Sequence, residues 1–431
     1  MDRPSKLRLL CESYLKRAMA LYRLDLLDFA AYMEPLFKRY GYREGGDQSN
    51  EANSSAWQNI LIVRLDSIGE CVLTTGLVRE LRKNFPAAHL TMVVNSSALP
   101  LMELCPHVDE VYAFSGRSNA TLQEILHTAI GFCQQYLWKR SYDVSVCPRW
   151  GVDENWSLLL GYMSGARIRI GYSESVNPVK AEINQGYDIF LTHPLIAPPE
   201  YVHEAARAFY ILRAFGLNVT DDDIDIWYEA KDENIANRRL RDFAKPKGYA
   251  VLALGADKPC KKYPVEKYAA ALKPLIKNGL KFVLLGGSQF ELEGFYFYRL
   301  MPRGSVMNLI GQVSPRVTAA IIAQAAIYIG NDNSLAHIAA ALKIPVLEIQ
   351  AEAADKTDEP SIYSTYERYF PWKVPAIVLR PEHALAPCDH TPALGGCSAV
   401  MQHCIAKIPP QEVRLAYESL REYTTEGREE K

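Results

Sequence analysis

No stretch of the 431 residues is apolar enough to cross a bilayer; charged and polar side chains interrupt every run well short of the roughly 18 residues that a helical span takes. An excess of either charge sign is also missing, with 48 Lys and Arg against 50 Asp and Glu and a formal net charge of -2. That balance excludes the broadly basic surface of a general nucleic-acid binder, although it leaves room for a local basic patch. The nine cysteines are odd in number, scattered and without a CxxC pair, which argues against a disulfide scaffold and a standard zinc finger. Walker loops, an opening GxGxxG fingerprint and a Ser-His-Asp nucleophile signature are absent as well. The start, MDRPSKLRLLCESYLKRAM, is studded with charge and lacks the apolar stretch and cleavage site of a signal peptide. A reducing, cytoplasmic setting is therefore expected.

What is present is ordinary globular composition, 48% hydrophobic and 23% charged, in a chain long enough for two domains. Residues 6–43 carry apolar side chains at helical spacing, with basic residues Lys6, Arg8, Lys16, Arg17, Lys38 and Arg39 diluted by acidic ones. Such an element packs on its own domain or rests on an anionic membrane surface, and the dilution favours packing. The polar stretch EGGDQSNEANSS (44–55) reads as a linker. Beyond it, NILIVRL (59–65), HLTMVV (89–94), VDEVYAF (108–114), YDVSVCP (142–148) and RIRIGY (167–172) read as strands between helical segments. After a polar interval at 221–248 the rhythm restarts with YAVLALG (249–255), KFVLLGG (281–287), AIYIG (326–330) and PVLEIQ (345–350). The expected fold class is α/β, with two doubly wound parallel sheets. The expected segments are a helical extension and linker (1–55), a first domain (56–238), a second domain (239–408) and a C-terminal helix and tail (409–431).

In such sheets ligands sit at the carboxyl ends of strands, near helix amino ends. Three turns qualify. In RLDSIGE, Gly69 frees the corner and Glu70 enters the first helical turn, where the helix dipole favours its ionised form. Glu70 either accepts a proton from an attacking hydroxyl or simply favours the helix start. In GADKPCKKYP, Gly255 precedes Lys261 and Lys262, cations suited to a phosphate or to solvent. In YIGNDNSLAH, Gly330 ends a strand, and Asp332, Asn333 and Ser334 are capping residues. His337 lies about one turn further on, facing a ligand or the core. Gly286 and Gly287 let the backbone approach a ligand, and Glu291 is placed to bind sugar hydroxyls. The tail gathers Cys388, His390, Cys397, His403 and Cys404, donor types for zinc or iron whose spacing favours packed thiols. The run Asp221-Asp222-Asp223 reads as solvated linker charge rather than a metal motif.

These turns, taken in order with SGARIRIGY, HEAARAFYILRAFGL and NLIGQVSPRVTAAIIAQAAIYIGNDNSLAHIAAALKIPVL, resemble glycosyltransferase family 9, the lipopolysaccharide heptosyltransferases and their relatives. The resemblance covers about residues 57–425. It implies a GT-B fold: two Rossmann-like domains facing across a cleft, with the C-terminal helix crossing back toward the first. It implies an inverting transfer of a sugar, heptose by kinship, from a nucleotide-diphospho-sugar, typically ADP-linked, with no metal required. The acceptor implied is a lipid-linked or lipopolysaccharide glycan, reached from the cytoplasm with room for peripheral contact at the inner membrane. Carried over residue by residue, Glu70 is the base, Lys261 meets the diphosphate, Glu291 the ribose, and Asp332, Asn333, Ser334 and His337 the diphosphate-sugar. Gly69, Gly255, Gly287 and Gly330 supply backbone approach. The chain departs from the family in carrying Glu70 for the usual Asp, Asn333-Ser334 where a Ser/Thr-Gly pair is usual, and Gln350 where glycine is frequent. Those departures keep two other functions in view: a catalytically weak nucleotide-sugar-binding scaffold in polysaccharide assembly, and transfer to a protein acceptor.

Overall fold

The structure, a computed structural model, describes residues 2–20, 25–42, 57–115, 121–355, 364–385 and 399–429. The linker at 44–55 and the segment holding Cys388, His390 and Cys397 lie outside the described residues. The chain forms two compact units, Met1–Asp222 and Asp223–Lys431.

The first unit opens with helices α1 (Arg3–Ala20) and α2 (Leu26–Arg39). Strands β1 (Asn59–Arg64), β2 (His89–Val94), β3 (Glu110–Ala113), β4 (Val144–Cys147), β5 (Ile168–Tyr172) and β6 (His193–Leu195) follow. Their connections carry α3 (Ile68–Asn84), α4 (Leu99–Met102), α5 (Leu122–Phe132), α6 (Ser157–Met163) and α7 (Pro178–Ile183), and α8 (Glu204–Ala214) comes after β6. All strands run parallel in the order β3-β2-β1-β4-β5-β6, with Ile60 opposite both Leu90 and Val144. The apolar run of β1 is buried almost throughout, as a central parallel strand covered on both faces must be. Helix α3 takes Glu70 in its first turn and Arg82 and Lys83 in its last, complementing the helix dipole at both ends.

The single helix expected over 6–43 is two helices. Asp25 caps the second, accepting from the backbone N–H groups of Leu27 at 2.6 Å and Asp28 at 3.2 Å. Leu7, Cys11, Phe29, Met33 and Phe37 are fully buried in one cluster with Leu126, Ile130, Trp138 and Tyr162. Tyr162 donates its hydroxyl to the carbonyl of Ala30 at 3.0 Å. The opening helices are therefore part of the core of this unit.

The second unit contains α9 (Ala230–Leu240), β7 (Tyr249–Ala253), α10 (Val265–Leu272), β8 (Lys281–Leu284), α11 (Glu291–Leu300) and β9 (Val306–Asn308). It continues with α12 (Pro315–Ala323), β10 (Ile327–Asn331), α13 (Ser334–Ala341), β11 (Val346–Ile349), α14 (Thr365–Tyr369), β12 (Ala376–Leu379) and α15 (Pro410–Glu429). Its parallel order, β12-β11-β10-β7-β8-β9, repeats the topology of the first sheet. Helix α15 packs on α10, β11 and β12. Among the described residues, no helix is long and apolar enough to cross a membrane.

The acidic run, read from sequence as solvated charge, keeps the Asp221 and Asp223 side chains partly exposed and pairs both with cations. Within the first unit Arg79 lies 3.2 Å from the Asp221 carboxylate, and within the second Lys343 lies 2.8 Å from that of Asp223. Sequence spacing hides both partners, because Arg79 lies on α3 and Lys343 in the turn after α13, each more than a hundred residues away.

Phe29→Ala should cost the first unit about 3–5 kcal/mol, the usual effect of emptying a buried aromatic site. Chemical denaturation of the full chain measures it, and a loss below about 1 kcal/mol would detach α2 from the core.

Candidate functional site

In each sheet the strand order reverses beside its first strand, between β1 and β4 and again between β7 and β10. Connections leave such a pair in opposite directions, so the carboxyl ends of those two strands are where ligands bind. Both reversal points carry charge.

At the first, Arg64 closes β1, and Asp66 and Glu70 follow it; Arg149 follows β4. Arg64 is buried, donates to the carbonyl of Pro148 at 2.7 Å, and lies 3.0 Å from Asp66 and 3.8 Å from Glu204. Glu204 in turn pairs with Arg207 at 3.2 Å, whose guanidinium lies 3.6 Å from the centre of the Trp150 ring. Arg149 reaches both Asp66, at 3.3 Å, and Glu70, at 3.6 Å. Buried Lys180 fixes the Arg149 backbone, donating to its carbonyl at 3.0 Å and to that of Tyr172 at 2.9 Å. Glu70 also accepts the Ser67 hydroxyl. Burial pushes the Glu70 carboxyl up, but Arg149, Arg64 and the Ser67 hydroxyl outweigh it, and the group sits below its ordinary value. Asp66 goes the other way, because burial outweighs Arg149 and Arg64. Gly69, the second residue of α3, is buried.

At the second reversal point, Lys261 follows β7 and Asp332 follows β10, and the ammonium lies 2.8 Å from the carboxylate. Asp332 raises the Lys261 pKa further than burial lowers it. Burial raises Asp332, yet Lys261 and then His337 bring it below its ordinary value. His337, on α13, is buried and has its ring 6.1 Å from that of Tyr369. Asn333 caps α13, accepting from Leu335 N–H at 2.9 Å and from the Tyr328 hydroxyl at 3.0 Å. Its amide donates to the Gly255 carbonyl at 3.0 Å, locking the α13 amino end to the β7 turn. Ser334 is the first residue of α13.

The structure thus brings together Lys261, Asp332, Asn333, Ser334 and His337. Lys262 is engaged with Glu293 at 2.6 Å. Glu291 opens α11 on the surface, against Gly311, where a Cβ would come within 2.8 Å of its carboxylate. The glycines have local steric tasks. A Cβ on Gly255 would run into the Phe290 ring, one on Gly330 into the Tyr328 hydroxyl, and one on Gly287 into the flexible Gln289 side chain.

Several site neighbours have no motif in the sequence. Asn331 is fully buried; it accepts from Tyr263 N–H and the Tyr268 hydroxyl, each at 3.0 Å, and donates to the Leu254 carbonyl at 2.7 Å. Glu352 caps α14, accepting from Thr365 N–H at 2.7 Å, and pairs with Arg380 at 3.2 Å. Arg64 and Glu348 did carry a signal: each is a charge inside an otherwise apolar strand. Cys404 is buried and accepts from Leu385 N–H at 3.2 Å, as a packed thiol.

The sequence model of glycosyltransferase family 9 (heptosyltransferase) matches residues 155–361, which include the second reversal point but not Glu70. Lipopolysaccharide heptosyltransferase 3 of Escherichia coli K12 is 23% identical over 288 residues, 65% of this chain and 79% of that protein. A glycosyltransferase family 9 structure from Veillonella parvula superposes with a TM-score of 0.66 at 18% identity, covering 88% of this chain and 99% of that one. The E. coli ADP-heptose lipopolysaccharide heptosyltransferase II gives 0.62 at 18% identity, covering 85% and 99%. Likeness at these identities establishes the fold, which is GT-B.

Replacing Arg149 by Met removes the cation nearest Glu70, so the carboxyl should titrate at higher pH than in the wild type. Because the folded carboxylate sits below its ordinary value of 4.5, its pairing stabilises the fold above that pH and is lost as pH falls through the folded value. NMR titration of the Glu70 side chain in both proteins checks this; an unmoved or lowered value would remove Arg149 as the cause.

Proposed function

We propose that the chain is a heptosyltransferase-like glycosyltransferase that transfers heptose with inversion from an ADP-linked donor, a reading supported by the glycosyltransferase family 9 match over residues 155–361. The acceptor is a lipopolysaccharide or related cell-envelope glycan. What carries the reading is the pair of charged reversal points: an anionic carboxylate in the first unit, and a lysine beside a helix amino end in the second.

Glu70 takes the proton from an acceptor hydroxyl as its oxygen attacks the anomeric carbon of the donor. The bond from that carbon to the diphosphate oxygen breaks, and the electron pair leaves with the nucleotide diphosphate. Lys261 and the amino end of α13 meet the charge that gathers on the leaving group. That task needs no metal in this reading. An ionised Glu70 is ready to accept a proton at neutral pH. A carboxylate with one more methylene than the usual aspartate reaches further, and Arg149 and Ser67 hold it in place. Asn333 and Ser334 replace the flexible turn usual in the family. Here Asn333 uses its side chain to fix the turn, so diphosphate meets a braced edge. Peripheral contact with the inner membrane fits a lipid-linked acceptor and belongs to this reading.

Glu70→Gln should lower kcat by about 100-fold or more, the usual worth of a general base, while ADP affinity changes less than about threefold. Lys261→Ala should do the reverse, weakening ADP at least about tenfold. Turnover with ADP-heptose and calorimetry with ADP, UDP, GDP and CMP measure both. Wild-type turnover in the Gln variant would remove Glu70 as base, and preference for another nucleotide would remove the ADP donor.

A further inference from the structure

Glu348 lies on β11, and Gln350 follows that strand's last residue. Both are buried, at 0% and 2% exposure. The amide nitrogen of Gln350 donates to Glu348 Oε1 at 2.5 Å. The other oxygens of the pair, Glu348 Oε2 and Gln350 Oε1, are buried without a hydrogen-bond partner among the described residues. Two bare buried acceptors on groups already joined by one hydrogen bond are costly. A proton on Glu348 Oε2 resolves both at once: it makes that oxygen a donor, and Gln350 Oε1 becomes its acceptor. The two groups then close an acid–amide ring with two hydrogen bonds.

We propose that Glu348 is a neutral acid whose proton is shared with Gln350, and that it is a positioning residue keeping the Lys261–Asp332 turn free of a second negative charge for an incoming diphosphate. This rests on the reading of that turn as the donor's diphosphate site. The register of β10 and β11 sets Glu348 opposite Gly330, two residues before Asp332. An ionised Glu348 would leave one lysine facing two carboxylates, and a diphosphate would meet net negative charge. A neutral one leaves Lys261 and Asp332 balanced.

The surroundings agree. Burial and then the Asp332 carboxylate push the Glu348 pKa up to about 8, against the pull of the Gln350 hydrogen bond and Lys261. The remaining neighbours supply little countercharge. Tyr328 of β10 and Tyr268 of α10 are phenols raised by burial, and Val378 of β12 is apolar. His337 of α13 and Glu352 bear on Asp332, with opposite effects. Helix α15 turns Val413, Ala416, Tyr417 and Leu420 inward.

Infrared pH-difference spectra of the full chain should show a protonated-carboxyl carbonyl band at pH 7 that converts to carboxylate near pH 8. Glu348→Gln keeps both hydrogen bonds of the ring, so it should fold with an undiminished Tm and lack that band. Calorimetry with ADP should find wild-type affinity about tenfold weaker at pH 9.5 than at pH 7, as a like charge appears beside the site, and the Gln variant constant within about twofold. A carboxylate already present at pH 7, or the same alkaline loss of affinity in both proteins, overturns the proposal. If E348Q fails to fold, the wild-type infrared titration still decides the proton. If the wild type binds no ADP at any pH, the donor reading falls, and the infrared titration alone decides whether Glu348 is neutral.

Discussion

A parallel sheet whose strand order reverses beside its first strand leaves two adjacent carboxyl ends without a connection crossing over them. The candidate site residues are arranged around that constraint, met once in each sheet. The strand that opens each sheet supplies one partner, and the strand on its other side supplies the opposite charge: Glu70 with Arg149, and Lys261 with Asp332. Neither pair is close in sequence. Only the pairing of β1 with β4 and of β7 with β10 makes them neighbours.

Buried charge at these edges comes in balanced groups. Arg64, Arg149 and Arg207 stand against Asp66, Glu70 and Glu204 in the first unit. An isolated ion in such a place would neutralise itself by shifting its pKa, so balance is a condition of keeping Glu70 ionised and Lys261 charged. The rigidity around them is made by neutral groups. Asn331 and Asn333 each link a strand end to the next turn through both amide atoms. This is how the chain holds its edge without the glycine usual in the turn.

The interior of both sheets is legible in the sequence because a strand covered on two faces must be apolar along its length. NILIVRL, HLTMVV, YAVLALG and AIYIG announce β1, β2, β7 and β10. The sequence does not announce β6, β9 or β12, and all three are edge strands. An edge strand pairs on one side only and lacks the buried run that marks a central one; β6 is three residues with a proline at its centre. Helix α9 is hidden for a similar reason: it buries only Asp232, Ala236 and Leu240 within a strongly polar stretch. At the site, turns were readable from glycine and capping residues, so Glu70, Lys261 and Asp332 could be named. Arg149, the partner of Glu70, and the neighbouring Asn331 and Glu352 could not, since no local pattern specifies a contact between distant strand ends. The glycines were legible as special but not for what they accommodate, which in Gly255 and Gly330 is a neighbouring aromatic side chain.

The position of the first two helices has a consequence for how the chain is made. Phe29, Met33 and Phe37 find their partners on residues between Leu126 and Phe190, and Tyr42 donates to the carbonyl of Trp138. During synthesis these helices leave the ribosome about a hundred residues before the surface that covers them. At about 5–20 residues per second, they wait several seconds with their apolar faces open. Exposed positions of this segment carry both charge signs, Lys6, Arg8, Lys16 and Arg17 with Asp25 and Asp28, the mixed surface that favours solubility. The apolar faces of α1 and α2 can therefore be fully covered only once the chain has been made to about residue 190.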